Sequence, residues 1–155
     1  MKQIIGVLFT LIVLAVTHSC KKEECGDCFT PPRPFLFEIV DKTSGENLFS
    51  NGTLDPASIK VKDTDNNFNI PFTFLDEDSI NIIVINSIGW QTEQVNLRLE
   101  ISDQPVFSMY VNAERLFENC CSFTMYREIL IKDSEFEWEP EKEMYKILYK
   151  NQKRT

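Results

Sequence analysis

The sequence predicts an all-β protein, a β-sandwich of about 7–9 mostly antiparallel strands. Three features predict it. Apolar residues recur at every second position, as in Val95, Leu97, Leu99 and Ile101 set against Asn96, Arg98 and Glu100, which is the period of a strand with one buried face. Turn chemistry returns at short intervals, first in Asp41-Lys42-Thr43-Ser44-Gly45 and again in Asn51-Gly52, which has the chemistry of a hairpin turn, since Gly and Asn tolerate left-handed backbone. Helical periodicity is scarce throughout.

The first segment, residues 1–19, is a leader rather than part of the fold. Lys2 supplies a positive start, and Ile4 to Val16 is an almost unbroken apolar run. A membrane-spanning helix needs roughly 20 apolar residues, so the shorter run reads as a secretory signal. Ser19 then precedes Cys20. A small residue directly before a cysteine at that distance resembles the lipobox of bacterial lipoproteins. The resemblance implies cleavage before Cys20, a diacylglycerol on its sulfur and an acylated amine, hence a membrane partner reached through an N-terminal lipid. Several chains hold firmly, because each buried methylene contributes about 0.8 kcal/mol. The alternative is an ordinary cleaved leader with a structural Cys20.

Lys21-Lys22-Glu23-Glu24 follows. It resembles the charged, acid-containing tag that sends some lipoproteins of Gram-negative bacteria to the outer face of the outer membrane. The resemblance implies an outer-membrane, outward-facing location, with the periplasmic face as the alternative. Read without it, the tetrapeptide is a solvated tether. Pro31, Pro32 and Pro34 make the next stretch a stiff, extended entry. Residues 20–34 thus form a lipidated cysteine, charged tether and Pro-rich arm; 35–150 form one sandwich domain; 151–155 are a polar tail.

Within the domain, Phe35, Phe37 and Ile39 alternate with Leu36, Glu38 and Val40 as the first strand. Ile59 and Val61 face one way while Lys60 and Lys62 face the other. Phe68, Ile70, Phe72 and Phe74 predict one continuous apolar face, and the run from Ile80 to Ile85 predicts a strand covered on both sides. After the Val95–Ile101 strand, Val106 to Val111 is another. Ala113 to Phe117 reads as a helical turn or a loop. In Phe123 to Ile131, Arg127 breaks the alternation and predicts a bulge. Phe136 to Trp138, stopped by Pro140, and Tyr145 to Tyr149 complete the set.

Part of this run carries Ile39-Val40-Asp41, then Thr43-Ser44-Gly45-Glu46-Asn47-Leu48, and later Gly89-Trp90-Gln91-Thr92. It resembles the transthyretin-like or carboxypeptidase-regulatory-like domains of secreted bacterial proteins, with an Ig-like sandwich as the neighbouring possibility. The resemblance covers roughly residues 35–100, and what it implies is a non-catalytic adhesion or scaffold module.

The chain carries 16 basic and 24 acidic side chains, a formal charge of −8. Loss of the leader removes Lys2 and makes the body more acidic still. A phosphate-binding surface relies on clustered Lys and Arg, so nucleic acid is excluded as a partner. His18 is the only histidine and departs with the leader. A Ser–His–Asp or Cys–His nucleophile, or an imidazole metal site, is therefore excluded from the body, and no cofactor is expected.

Four cysteines remain: Cys25, Cys28, Cys120 and Cys121. Cys25-Gly26-Asp27-Cys28 has the spacing of a redox pair, but the prolines behind it forbid the helix that such a pair opens. A zinc site would need both ligands of its second pair from adjacent residues, which suits a tetrahedron poorly. A disulfide framework fits an oxidising compartment. Crossed bridges, Cys25 and Cys28 to Cys120 and Cys121, avoid small strained rings; one such bridge closes about ninety residues and is valued at roughly 4 kcal/mol by chain-entropy models.

Four further patterns bear on chemistry. Asp63, Asp65 and Asn67 have the look of a calcium loop, but Phe68 and Phe74 stand where an EF-hand needs Gly and a carboxylate. An Asp/Asn-rich turn is the plainer reading. Glu135, Glu137 and Glu139 would line one strand face about 7 Å apart, too wide to grip one cation, with Phe136 and Trp138 facing the core. Trp90, on a Gly-led turn, either stacks on a ligand such as a sugar ring or caps the core. Asp78-Ser79-Ile80 resembles a short O-glycosylation acceptor motif. The sequence thus predicts a lipid-anchored, non-catalytic binding or scaffold module with a protein or glycan partner. An inhibitor or adhesion partner of a basic protein is the alternative, as is a glycan-active enzyme working with carboxylates alone.

Overall fold

The structure, a computed structural model, describes residues 26, 28–77 and 80–150. The expected leader at 1–19, the lipidation site Cys20, the tether through Cys25, Asp78 and Ser79 of the acceptor motif, and the tail at 151–155 lie outside the described residues. Two five-stranded sheets pack face to face. In spatial order the first holds β1 (Cys28–Phe29), β8 (Cys121–Lys132), β7 (Gln104–Glu118), β6 (Glu93–Ile101) and β3 (Ile59–Asp63). The second holds β4 (Thr73–Leu75), β5 (Ile82–Ile85), β2 (Phe35–Asp41), β10 (Met144–Tyr149) and β9 (Glu135–Glu139). Two pairings are parallel, β1 with β8 and β2 with β10; the remaining pairings are antiparallel. The sandwich is the predicted one, with one strand more than expected. The addition is β1, a two-residue strand inside the arm.

The core is the meeting of the two alternating faces. Phe35, Phe37 and Ile39 of β2, Ile83 and Ile85 of β5 and Ile147 of β10 point at Val95, Leu97, Leu99 and Ile101 of β6 and at Phe107, Met109, Val111 and Ala113 of β7. The Phe37 ring lies 4.8 Å from that of Phe107 and 5.6 Å from that of Tyr145, and so joins the sheets at their centre. Burying such a ring removes 150–250 Å² from water, the dominant stabilising term here.

Four expectations are corrected. The segment Ala113 to Phe117 is neither helix nor loop: β7 runs on to Glu118, because each of these residues finds a partner on β8 and ladder pairing overrides the helical leaning of Ala-Glu-Arg-Leu. The Phe68–Phe74 face is not continuous. Asn67 takes φ 57° after the turn, Pro71 offers no N–H, and only Thr73–Leu75 forms a strand, leaving Phe68 exposed while Ile70, Phe72 and Phe74 pack on the core. Asn51-Gly52 turns the chain, with Gly52 at φ 74°, but no paired strands flank it. Phe136 and Trp138 share the inner face with Ile147 and Tyr145, yet β9 is an edge strand and leaves both rings partly in solvent.

The bulge expected at Arg127 is present. Asn112 opposes Glu128 and Ala113 opposes Tyr126, so Arg127 is the unpaired extra residue of β8. Its effect is to swap faces. Above it Ile129 and Ile131 turn inward; below it Tyr126, Thr124 and Ser122 do.

Two acidic turns end strands. The Asp41 carboxylate accepts from the N–H groups of Thr43 and Ser44 at 2.9 Å, and the Ser44 N–H, then that of Thr43, holds its pKa below the usual value. The Asn66 amide does the same for Asp63, helped by the N–H groups of Asp65 and Asn66. Because both carboxylates titrate lower in the folded chain, their contribution is present above the unfolded value of 3.8 and is lost as pH falls through the folded pKa. Tm measured against pH should therefore stay flat from neutrality to about pH 5 and decline below about pH 4. Replacing Phe37 by Ala should cost about 3–5 kcal/mol in urea unfolding, whereas Phe68→Ser should change stability by no more than about 0.5 kcal/mol.

Candidate functional site

The pairing of β6 with β7 ends at Glu93 opposite Ala113. Beyond it, β7 and β8 continue together to a two-residue turn at Asn119 and Cys120, both at positive φ (48° and 67°), the signature of a tight hairpin that matches strand twist. Glu114–Glu118 and Cys121–Met125 therefore extend past the end of β6 as a hairpin end.

The arm is fastened to this hairpin end. Cys28 pairs in parallel with Cys121 and Phe29 with Ser122. The Thr30 N–H donates to the Ser122 carbonyl at 2.8 Å. A Cys28–Cys121 disulfide joins residues 93 apart in sequence, one of the two crossed bridges the spacing predicts. Cys120 is disulfide-bonded as well, and Cys25 lies outside the described residues.

Arg115 organises the inner face of the hairpin end. Its guanidinium donates to the Thr30 carbonyl at 2.9 Å, to Thr124 Oγ1 at 2.8 Å and to Ser122 Oγ at 3.0 Å. It lies 4.8 Å from the centre of the Phe29 ring, within cation–π range. The Phe29 ring stacks in turn on Trp90, centroids 6.0 Å apart and planes 22° off parallel. Thr124 Oγ1 donates onward to the Gly89 carbonyl at 2.6 Å, and the Gly89 N–H donates to the Glu93 carboxylate. Trp90 Nε1 donates to the Asn86 carbonyl at 2.7 Å. The indole's one polar atom is thus satisfied within its own loop, and the ring face turned away from Phe29 is left for other contacts.

Of the two readings of Trp90, capping the core is the one the structure corrects. Ile88 fills the core at that corner, 3 % exposed, while Trp90 is 53 % exposed. Phe29 and Phe117 beside it are 56 % and 69 % exposed. Phe117 belongs to the same patch because it sits opposite Ser122, which sits opposite Phe29, so the three side chains stand in one row on one face.

Gly89 is required where it stands. Its φ is 96°, and a Cβ there would lie 2.8 Å from the Tyr126 hydroxyl, 3.0 Å from Thr124 and 3.2 Å from Pro32. The Tyr126 hydroxyl lies within hydrogen-bonding reach of the Arg33 and Ile88 carbonyls, and burial pushes its pKa up. The Arg33 guanidinium is set among the rings of Tyr126, Trp138 and Phe35 at 5.5–5.9 Å. The arm is thereby sealed across the open end of the sandwich before it becomes β2.

The segment from Asp63 to Asn67 is a hydrogen-bonded turn. Asp63 spends both carboxylate oxygens on Asp65 and Asn66, and Asp65 accepts from the Asn96 amide at 2.8 Å. Asn67 is the left-handed turn residue, and among the described residues no three His, Cys, Asp or Glu side chains gather where an ion could sit. The acidic face of β9 is tied up by lysines: Glu135 pairs with Lys42, and Glu139 pairs with Lys142 at 3.1 Å and Lys146 at 3.0 Å. Those lysines lower the pKa of both carboxyl groups.

Sequence reasoning picked out Trp90 and the cysteines but missed Phe29, Arg115 and Phe117. Arg127 was the available signal, since the bulge it marks decides which side chains face Arg115. Comparison of the chain with family models, with curated proteins and with solved structures returns no match.

Gly89→Ala should destabilise the chain by about 1–3 kcal/mol, through forced left-handed backbone together with the clash, and Tyr126→Phe in the same chain should recover only part of it. Replacing Cys28 and Cys121 together by Ser should lower the unfolding free energy by about 4 kcal/mol on the chain-entropy estimate, read as the shift of the urea midpoint against the wild-type chain.

Proposed function

We propose that the chain is a lipid-anchored, non-catalytic binding or scaffold module of the outer membrane of a Gram-negative bacterium, facing the cell exterior, whose domain belongs with the transthyretin-like sandwiches. The observation that carries this reading is the fastening of the arm. The segment that follows Cys20 enters the fold through β1, bonded edge to edge with β8 and crosslinked by Cys28–Cys121. A lipid on Cys20 would then pull on a ladder and a covalent bond rather than on a loose terminus. The disulfide also supports an oxidising compartment outside the cytosol. The loss of His18 with the leader supports a role without catalysis.

A second reading has one observation in its favour. Trp90, exposed and with its Nε1 satisfied internally, offers a stacking face of the kind that glycan partners use.

Metabolic labelling with a palmitate probe tests the main reading. The wild-type chain should take up label and partition with membranes, and Cys20→Ala should abolish both. A wild-type chain that stays unlabelled and fractionates with cytosolic markers would end the proposal.

A further inference from the structure

Building on the anchored reading, we propose that the hairpin end of the domain rests on the membrane that holds Cys20, with Phe29, Trp90 and Phe117 entering the headgroup layer. Three observations lead there. First, these rings come from three separate parts of the chain, β1, the Asn86–Thr92 loop and β7, and converge on one face while remaining more than half exposed. A patch of that kind, rimmed by polar groups, marks a contact surface. Second, the patch lies where the anchor must be. Cys28 is fixed to Cys121 at the hairpin end, and a chain spans at most about 3.3–3.6 Å per residue. The eight steps from Cys20 to Cys28 therefore keep the lipid within about 29 Å of that end. The Lys60–Asp103 corner, where β6 turns into β7, lies at the opposite end of β7. Third, the chemistry suits an interface rather than the hydrocarbon. Tryptophan rings are enriched at headgroup depth, and Trp90, its Nε1 already bonded to the Asn86 carbonyl, meets that layer with its ring alone.

Charge sets the character of the contact. Arg115 is spent on Thr30, Thr124 and Ser122, and Glu114 is paired with Arg127 at 2.7 Å. Glu118 is exposed at the turn. A chain of formal charge −8 gains nothing from anionic lipid, so the rings carry the contact and it is insensitive to salt. Three rings alone hold a free protein weakly. Tethering turns the contact into an intramolecular one at high effective concentration, so docking follows acylation and does not replace it.

The test uses the full-length acylated protein in phosphatidylcholine vesicles. Trp138→Phe leaves Trp90 as the sole indole, and lipids brominated high on their chains act as quencher. Trp90 emission should fall relative to unbrominated vesicles, as for a ring at headgroup depth, and the fall should persist in high salt. Phe117→Ser should weaken the quench while the protein still floats with the vesicles. Phe29→Ser should do the same, with thermal melting to show that each variant is folded. Trp90→Phe, which leaves only Trp138, should show no quench. A protein that floats but whose Trp90 is not quenched overturns the docking and leaves the anchor standing. If soluble glycans then shift Trp90 emission, the patch is a sugar platform instead. A protein that does not float at all overturns both.

Discussion

A two-residue strand and one disulfide tie the N-terminal arm to the end of the β7–β8 hairpin, and the rest of the hairpin end is arranged around that tie. Pairing Phe29 with Ser122 sets the Thr30 carbonyl against Arg115 and the Phe29 ring against Trp90. It delivers Pro32 to the surface of Gly89 and Arg33 into its group of aromatic rings. The arm then crosses from the first sheet to the second and starts β2, the central strand of that sheet. A chain crossing between sheets without such a fastening would carry unpaired backbone groups at the mouth of the core, which is costly.

The Arg127 bulge makes this arrangement possible. Without the extra residue, the inward positions at the end of β8 would be Met125 and Phe123, and Arg115 would meet apolar neighbours. With it, Ser122, Thr124 and Tyr126 turn inward and supply the oxygens that accept from the guanidinium and reach the arm and the Gly89 loop. The bulge thus converts an apolar strand end into a polar frame, and the aromatic rings are displayed on its rim. That division suits a surface meant to meet something: the frame is satisfied internally, so Phe29, Trp90 and Phe117 are held in place at little cost in side-chain freedom.

Strands with a clean period of two were legible in advance. β2, β3, β6 and β10 read directly, because each buries one face and the register leaves no choice. β1 was not legible, since two residues carry no period and only the ladder of β8 makes them a strand. β4 was overextended because the Phe68–Phe74 alternation is real but the turn at Asn67 and the missing N–H of Pro71 break the ladder. The far half of β7 was hidden behind residues of helical leaning, whose partners lie on a strand still to come. The site divides in the same way. Trp90 could be flagged from its glycine, while Arg115, Phe29 and Phe117 become neighbours only through three pairings and a bulge.

The frame and the displayed rings both follow from the tie between arm and hairpin, and so does the direction of the proposed anchor. Peptide mapping of the non-reduced protein by mass spectrometry tests the tie most directly, with cleavage before Asp27 to separate Cys25 from Cys28. The Cys28 fragment should be linked to the fragment containing Cys121. A ring closed between Cys25 and Cys28, with Cys121 free or bonded elsewhere, would contradict it.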